Sequence, residues 1–219
     1  PTGSELVRLG VHPRGSEVVE SNSLMLEALA ARDHADVAVH SIVSDDRGEL
    51  ERALLDVNTD LVVVTGGSSV GVEDLGPVVV RALGELPIHG VAIRPASPTG
   101  LGIVGRTLVL LAPGFPVASF VAWDMFARAI LQRMEGAPVR LPYETARVRL
   151  AKAHRKPVDR VEIQRVALAR STDEAPIATV LPGGAAILST LTRADAFLLF
   201  PAGRDTFEAG AELTAHLFA

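Results

Sequence analysis

The sequence predicts an α/β fold, a mostly parallel sheet with helices on both faces, followed by a small all-β domain. Two observations predict the first part. The run Asp60–Val64 (DLVVV) is apolar without alternation, as in strands covered on both sides. Runs of this kind alternate with segments of helical period up to about residue 135, the pattern of a layered α/β domain. A third observation predicts the second part. After Gly136-Ala137-Pro138 the helical period stops, and short β-rich runs take over, punctuated by Gly, Pro and Asp. The expected division is 1–137 for the α/β domain and 138–219 for the β domain. The chain opens on Pro1-Thr2-Gly3, a turn signal with no strand before it. The α/β domain is therefore expected to lack its first strand.

The elements follow in order. Ser21–Arg32 reads as a helix with Leu24, Leu26, Leu29 and Ala30 as its apolar stripe and Ser21 as N-cap. Asp36–Val43 (DVAVHSIV) reads as a short β-branched strand, and Gly48–Val57 as an amphipathic helix. The strand at Asp60–Val64 ends in Thr65-Gly66-Gly67. A helix is expected over Leu75–Leu86, strands over Ile88–Ile93 and Thr107–Leu111, and a long helix over Pro116–Met134. Pro116 suits its first turn. The β domain offers strands at Arg147–Ala151, Arg160–Ala169, Ala178–Leu181, Ala196–Phe200 and Glu212–Phe218. A short helical piece is expected near Ala185–Thr192.

Composition removes several chemistries. There is no cysteine, hence no disulfide, zinc–thiolate site, iron–sulfur cluster or cysteine nucleophile. The six histidines are scattered, and none forms a His-x-x-x-His or His-x-His pair. The net charge of -5 gives no electrostatic footprint for nucleic acid. No apolar run is long enough to span a bilayer. The N-terminus lacks a signal pattern, so a cytoplasmic protein is expected.

In open parallel sheets, ligands bind beyond the C-terminal strand ends, and the chemically suggestive loops fall there. Thr65-Gly66-Gly67-Ser68-Ser69-Val70-Gly71-Val72-Glu73-Asp74 combines glycines, hydroxyls and a following helix start. Such a loop lets backbone amides face an anion. It lacks the Lys of a P-loop and the spacing of a GxGxxG, and a plain turn is the alternative. Glu73 and Asp74 are carboxylates suited to a magnesium ion or a water, or equally to the helix dipole. Arg94, in Arg94-Pro95-Ala96-Ser97-Pro98-Thr99-Gly100, offers a planar fork to an oxyanion. Pro113-Gly114-Phe115-Pro116, with Ser119 in the next turn, is a stiff strand-to-helix connection and a second anion site. Ser21 and Asn22, within Glu20-Ser21-Asn22-Ser23, stand at a further helix start and are also good caps.

Taken in order, TGSEL, ESNSLML, DLVVVTGGSSVGVED, VAIRPASPTG and LLAPGFPVASFVAWDMFARAIL resemble the molybdopterin molybdenumtransferase family, which includes the gephyrin E domain. RVEIQRVAL and ILSTLTRADAFLLFPAG are similar to that family's small C-terminal β domain. The resemblance covers nearly the whole chain. It implies that adenylylated molybdopterin is bound, molybdate is inserted into its dithiolene, and AMP is released with the help of magnesium or a similar divalent ion. It also implies a homodimer. The small-molecule partners are the pterin and molybdate.

By position, the resemblance assigns Thr65, Gly66, Gly67, Ser68, Ser69 and Gly71 to the pterin phosphate or adenylyl group. Ser21, Asn22, Pro113, Gly114, Phe115 and Ser119 join them. Asp74 is implied as the catalytic or metal-binding carboxylate with Glu73 beside it, and Arg94 stands in the place of a family lysine. Val72 and Ser97 replace a family Asp and Lys, Phe115 replaces an Asn, and Glu20 replaces an Asp. These departures leave a second reading, a degenerate module that binds or senses molybdopterin without transfer. A third, an unrelated doubly wound sugar or nucleotide binder, requires the motif order to be coincidence.

Overall fold

The computed structural model describes residues 1–67, 74–169 and 175–218. The chain forms two compact units. One comprises Pro1–Val91 and Ala96–Arg140, the other Ala92–Pro95 and Leu141–Ala219.

In the first unit, β1 (Leu6–Val7) and β2 (Val18–Val19) form a small parallel pair ahead of α1 (Asn22–Arg32) and α2 (Arg47–Leu55). Then come β3 (Leu61–Thr65), α3 (Leu75–Leu83) and β4 (Glu85–His89). The two-residue β5 (Ile93–Arg94) belongs to the other unit. β6 (Gly100–Val104), β7 (Thr107–Ala112), α4 (Pro116–Ala122), a π-helical turn (Trp123–Ala127) and α5 (Arg128–Met134) complete the first unit.

Its sheet runs β3-β7-β6-β4. β3 and β7 are parallel, but β6 is antiparallel to both β7 and β4. The sheet is therefore mixed, not mostly parallel as the sequence suggests. The cause is local. Gly105 at φ 60° opens a two-residue turn that pairs Val104 with Thr107, and a left-handed first turn position suits a hairpin.

Helices do cover both faces. Val64, Val109 and Leu111 pack with Leu50, Leu54, Val79 and Val80 from α2 and α3. Leu110, Leu61 and Val63 pack with Leu26 and Ala30 from α1 and with Trp123 and Ala127. Successive residues of one strand thus enter opposite cores, which explains the unbroken apolar runs.

Three other sequence expectations change. Asp36–Val43 forms no ladder. Among the described residues its pairing is the bridge from Val43 to Thr2, and β-branched residues make no strand without a partner. The run Ile88–Ile93 is broken by Gly90 at φ 90°, so β4 ends at His89 and β5 starts at Ile93. The helix expected to reach Leu86 stops at Leu83, because Gly84 leaves helical geometry at φ -171° and ψ -135° and the chain turns into β4; only a glycine fits there, since a Cβ would overlap Ile103 O.

In the second unit, β8 (Thr145–Leu150), β9 (His154–Arg155), β10 (Val161–Ala169), β11 (Ile177–Val180), α6 (Ser189–Thr192), β12 (Ala196–Phe200), β13 (Thr206–Phe207) and β14 (Glu212–Leu217) follow. The sheet order is β11-β8-β14-β12-β10-β5, with β11 also pairing β10. That last pairing closes five strands into a ring around Val148, Leu198, Phe200 and Phe207, so five strands leave no free edge within the ring. β5 attaches to β10 through Ile93 and Arg94.

Candidate functional site

The parallel pairing of β3 and β7 ends with Thr65 opposite Ala112, so the loops after both strands emerge side by side. Gly66 N–H donates to Ala112 O at 3.2 Å. Gly66 and Gly67 have φ of 88° and 53°, conformations that a side chain strains. Space imposes the same choice. A Cβ on Gly66 would overlap Thr2 O, and one on Gly114 would lie 3.3 Å from Gly66 Cα. Backbone is packed on backbone here, which leaves main-chain amides and carbonyls as the local chemistry.

Two further segments converge on the same strand ends. Thr2 N–H donates to Thr65 O at 2.8 Å, and Gly3 N–H donates to Val43 O at 3.1 Å. Ser4 and Asp45 then clasp each other: Ser4 N–H donates to Asp45 Oδ2 at 2.8 Å, and Asp45 N–H donates to Ser4 Oγ at 3.1 Å. Asp45 was not legible as a site-shaping residue. Its one signal is its place just past an apolar run, at Val43-Ser44-Asp45. On the other side, α1 brings Asn22 to the second loop. Its Nδ2 donates to Gly114 O at 2.7 Å.

The start of α1 is capped differently from the sequence expectation. Ser21 is the N-cap residue but its side chain makes no cap bond. The carboxylate of Glu20 accepts from Ser23 N–H at 3.0 Å instead. Glu20 reaches the same first-turn amide that a shorter cap would satisfy. Because α1 and α4 both begin beside Gly114, their N-terminal dipole ends face the same loop. That arrangement favours an anion.

The sequence-predicted residues distribute as follows. Thr65, Gly66, Gly67, Asn22, Pro113, Gly114 and Ser119 lie in this cluster of strand ends and helix starts. Thr65 and Ser119 are buried. Among the described residues Ser119 Oγ has no hydrogen-bond partner. Phe115 is exposed and is the N-cap residue of α4, so its ring is available as a flat face. Asp74 is the N-cap residue of α3, with Gly67 O accepting from Gly76 N–H at 3.1 Å just beyond it. Ser68, Ser69, Gly71 and Glu73 lie outside the described residues. Arg94 is placed elsewhere than the sequence suggests. It is not a loop residue after a strand of the α/β unit but the last residue of β5, opposite Glu162 of β10. The physical reason is the kink at Gly90, after which Ala92 O accepts from Val161 N–H at 2.9 Å and draws the segment onto the β sheet.

Residues 1–133 match the family model described as a probable molybdopterin binding domain. The chain belongs to that family. Residues 147–218 match a second model, the MoeA C-terminal region (domain IV). A relative in Methanocaldococcus jannaschii, named as a candidate molybdopterin biosynthesis protein, is 29% identical over 99% of this chain and 53% of its own. Molybdopterin molybdenumtransferase 2 of Mycobacterium tuberculosis is 34% identical over 63% of this chain and 36% of its own. The crystal structure of the molybdopterin biosynthesis MoeA protein from Pyrococcus horikosii has the same fold. Its TM-score is 0.80 at 24% identity, covering 100% of this chain and 53% of that one. The chain thus spans about half the length of relatives that match it from end to end. Within the molybdopterin-binding family, the cluster at the ends of β3 and β7 is the candidate site.

Proposed function

We propose that this chain is the pterin-holding part of a molybdopterin molybdenumtransferase. Molybdate is inserted into the dithiolene of adenylylated molybdopterin, and AMP leaves. The observation that carries the reading is the convergence of Gly66, Gly67 and Gly114 with the starts of α1 and α4. Backbone without side chains admits a phosphate closely, and two helix starts favour its charge. The relatives named for molybdopterin chemistry support the same substrate class.

In this reading the main-chain N–H groups of Gly67 and Gly114 bind the phosphate and adenylyl groups, Gly66 shapes the turn with its N–H held by Ala112 O, and the Ser119 hydroxyl is a ready donor beside them. The exposed ring of Phe115 stacks on the flat pterin. Asp74 orients the water that attacks the adenylyl bond. The thiolates that take up molybdenum belong to the pterin itself, so the absence of cysteine is no obstacle.

Magnesium fits in a limited way. Among the described residues no group of three or more carboxylate or histidine side chains is placed to hold a metal ion. Asp74 would be the described ligand, with substrate phosphate oxygens and water completing the shell, as magnesium commonly accepts. The ion would neutralise charge on the departing phosphate. We also propose a homodimer in the cytoplasm. Among the described residues no helix is long and apolar enough to cross a membrane.

The test is single-turnover release of AMP from adenylylated molybdopterin in the presence of molybdate and magnesium. Asp74→Ala is expected to lose release while still binding the pterin. A wild-type chain that binds the pterin but never releases AMP would contradict the transferase reading.

A further inference from the structure

Helix α1 is fastened to the helix that follows β7 at two points. At its start, Asn22 donates to Gly114 O at 2.7 Å. At its end, Arg32 and Asp33 meet Trp123, Asp124 and Arg128. Leu26 and Ala30 pack against Trp123 and Ala127 between them. Eleven residues separate Asn22 from Asp33 and nine separate Gly114 from Trp123, so the two helices run side by side in the same direction. A displacement of one carries the other.

The side chain of Asn22 is buried at 8% exposure. One N–H of its amide donates to a main-chain carbonyl of the second loop. That bond places it to hold the loop against α1. We propose that Asn22 is a positioning residue: its side-chain N–H fixes the Pro113–Phe115 loop against α1 and thereby sets where Gly114 and Phe115 meet the bound pterin. The consequence for ligand affinity rests on the function proposed above, whereas the fixing of the loop does not.

The donor can be removed without changing shape. Asn22→Asp keeps the side-chain volume but sets an oxygen against Gly114 O, and Asn22→Ala removes the group. The chain holds a single tryptophan, Trp123, whose Nε1 donates to Asp33 Oδ2 at 2.8 Å. Its fluorescence therefore reports whether α1 stays seated.

The experiment measures ¹⁵N relaxation of the Gly114 and Phe115 amides in the ligand-free chain and its two variants, beside Trp123 emission. It then titrates each with molybdopterin. In both variants the order parameters of Gly114 and Phe115 are expected to fall from the rigid range towards that of a mobile loop. Trp123 emission is expected to stay unchanged, and the pterin dissociation constant to rise about tenfold, as loss of a buried hydrogen bond implies. Unchanged loop relaxation in both variants overturns the positioning role, whatever the ligand does. Unchanged affinity with a loosened loop overturns its link to the site. Failure of the wild-type chain to bind molybdopterin counts against the proposed function, while the relaxation result still decides whether Asn22 holds the loop.

Discussion

At its N-terminal end α1 meets its neighbour through one amide–carbonyl hydrogen bond, beside glycines packed on glycines. At its C-terminal end it meets the same neighbour through charge. Asp33 is buried and accepts from Arg32 Nε and Nη2, from Trp123 Nε1 and from Arg128 Nη1. Arg32 Nη2 also donates to the buried Asp124 at 2.7 Å. The π turn over Trp123–Ala127 carries two of these partners. One end is left lean in side chains, and the other saturates its polar groups internally. On the function proposed above, the difference separates a surface kept for a ligand from a joint kept for rigidity. Burial of charge is therefore no guide to the site in this molecule, since the most heavily bonded carboxylate is structural.

The comparison breaks most visibly at Asp33. Asp33→Ala leaves two arginines without their shared acceptor, and partial exposure of both guanidinia limits the cost. A loss of about 3 kcal/mol in denaturant unfolding is expected. A loss under about 0.5 kcal/mol would mean that the joint is ornamental. The pH dependence carries a sign. Burial pushes the Asp33 carboxyl up, but hydrogen bonds from Arg32 and Trp123 and the charges of Arg32 and Arg128 outweigh it, so it sits below its ordinary value of 3.8. A depressed carboxyl contributes stability above the unfolded value and loses it as pH falls through the folded one. The stability gap between wild type and Asp33→Asn is thus expected to be full at pH 6 and to shrink on acidification below about 4.

The lean end breaks next. Gly66→Ala combines a left-handed backbone with overlap on Thr2 O. About 2 kcal/mol of destabilisation is expected, with pterin binding lost in chains that remain folded. Normal binding would show that Thr2 simply moves aside.

The smallest effect lies in the β-rich unit. His216 stacks on Phe197 at 4.9 Å, and burial pushes its pKa below 6.5. The neutral ring is the folded form, so acid below about pH 6.5 is expected to cost stability there, and His216→Phe to flatten that slope. An unchanged slope would assign the acid sensitivity elsewhere.

Much of the fold was legible because its signals are local. Strand β3 announces itself by an apolar run that feeds two cores, and α4 by Pro116 at its first turn. What could not be read depends on partners distant in sequence. Residues 36–42 have strand propensity but no ladder, and Arg94 is drawn to β10 from far along the chain. The candidate site shows the same division. Glycines and helix starts are visible in order along the chain. The bond from Asn22 to Gly114 joins residues 92 apart, and no spacing rule predicts it.

On the proposed function, the ligand end and the structural end of α1 are distinct. Calorimetric titration of molybdopterin into the wild-type chain, Gly114→Ala and Trp123→Phe tests it most directly. Saturable binding by the wild type is expected, with affinity weakened about tenfold or more in Gly114→Ala and within about twofold of wild type in Trp123→Phe. Equal loss in both variants, or full affinity in Gly114→Ala, would contradict it.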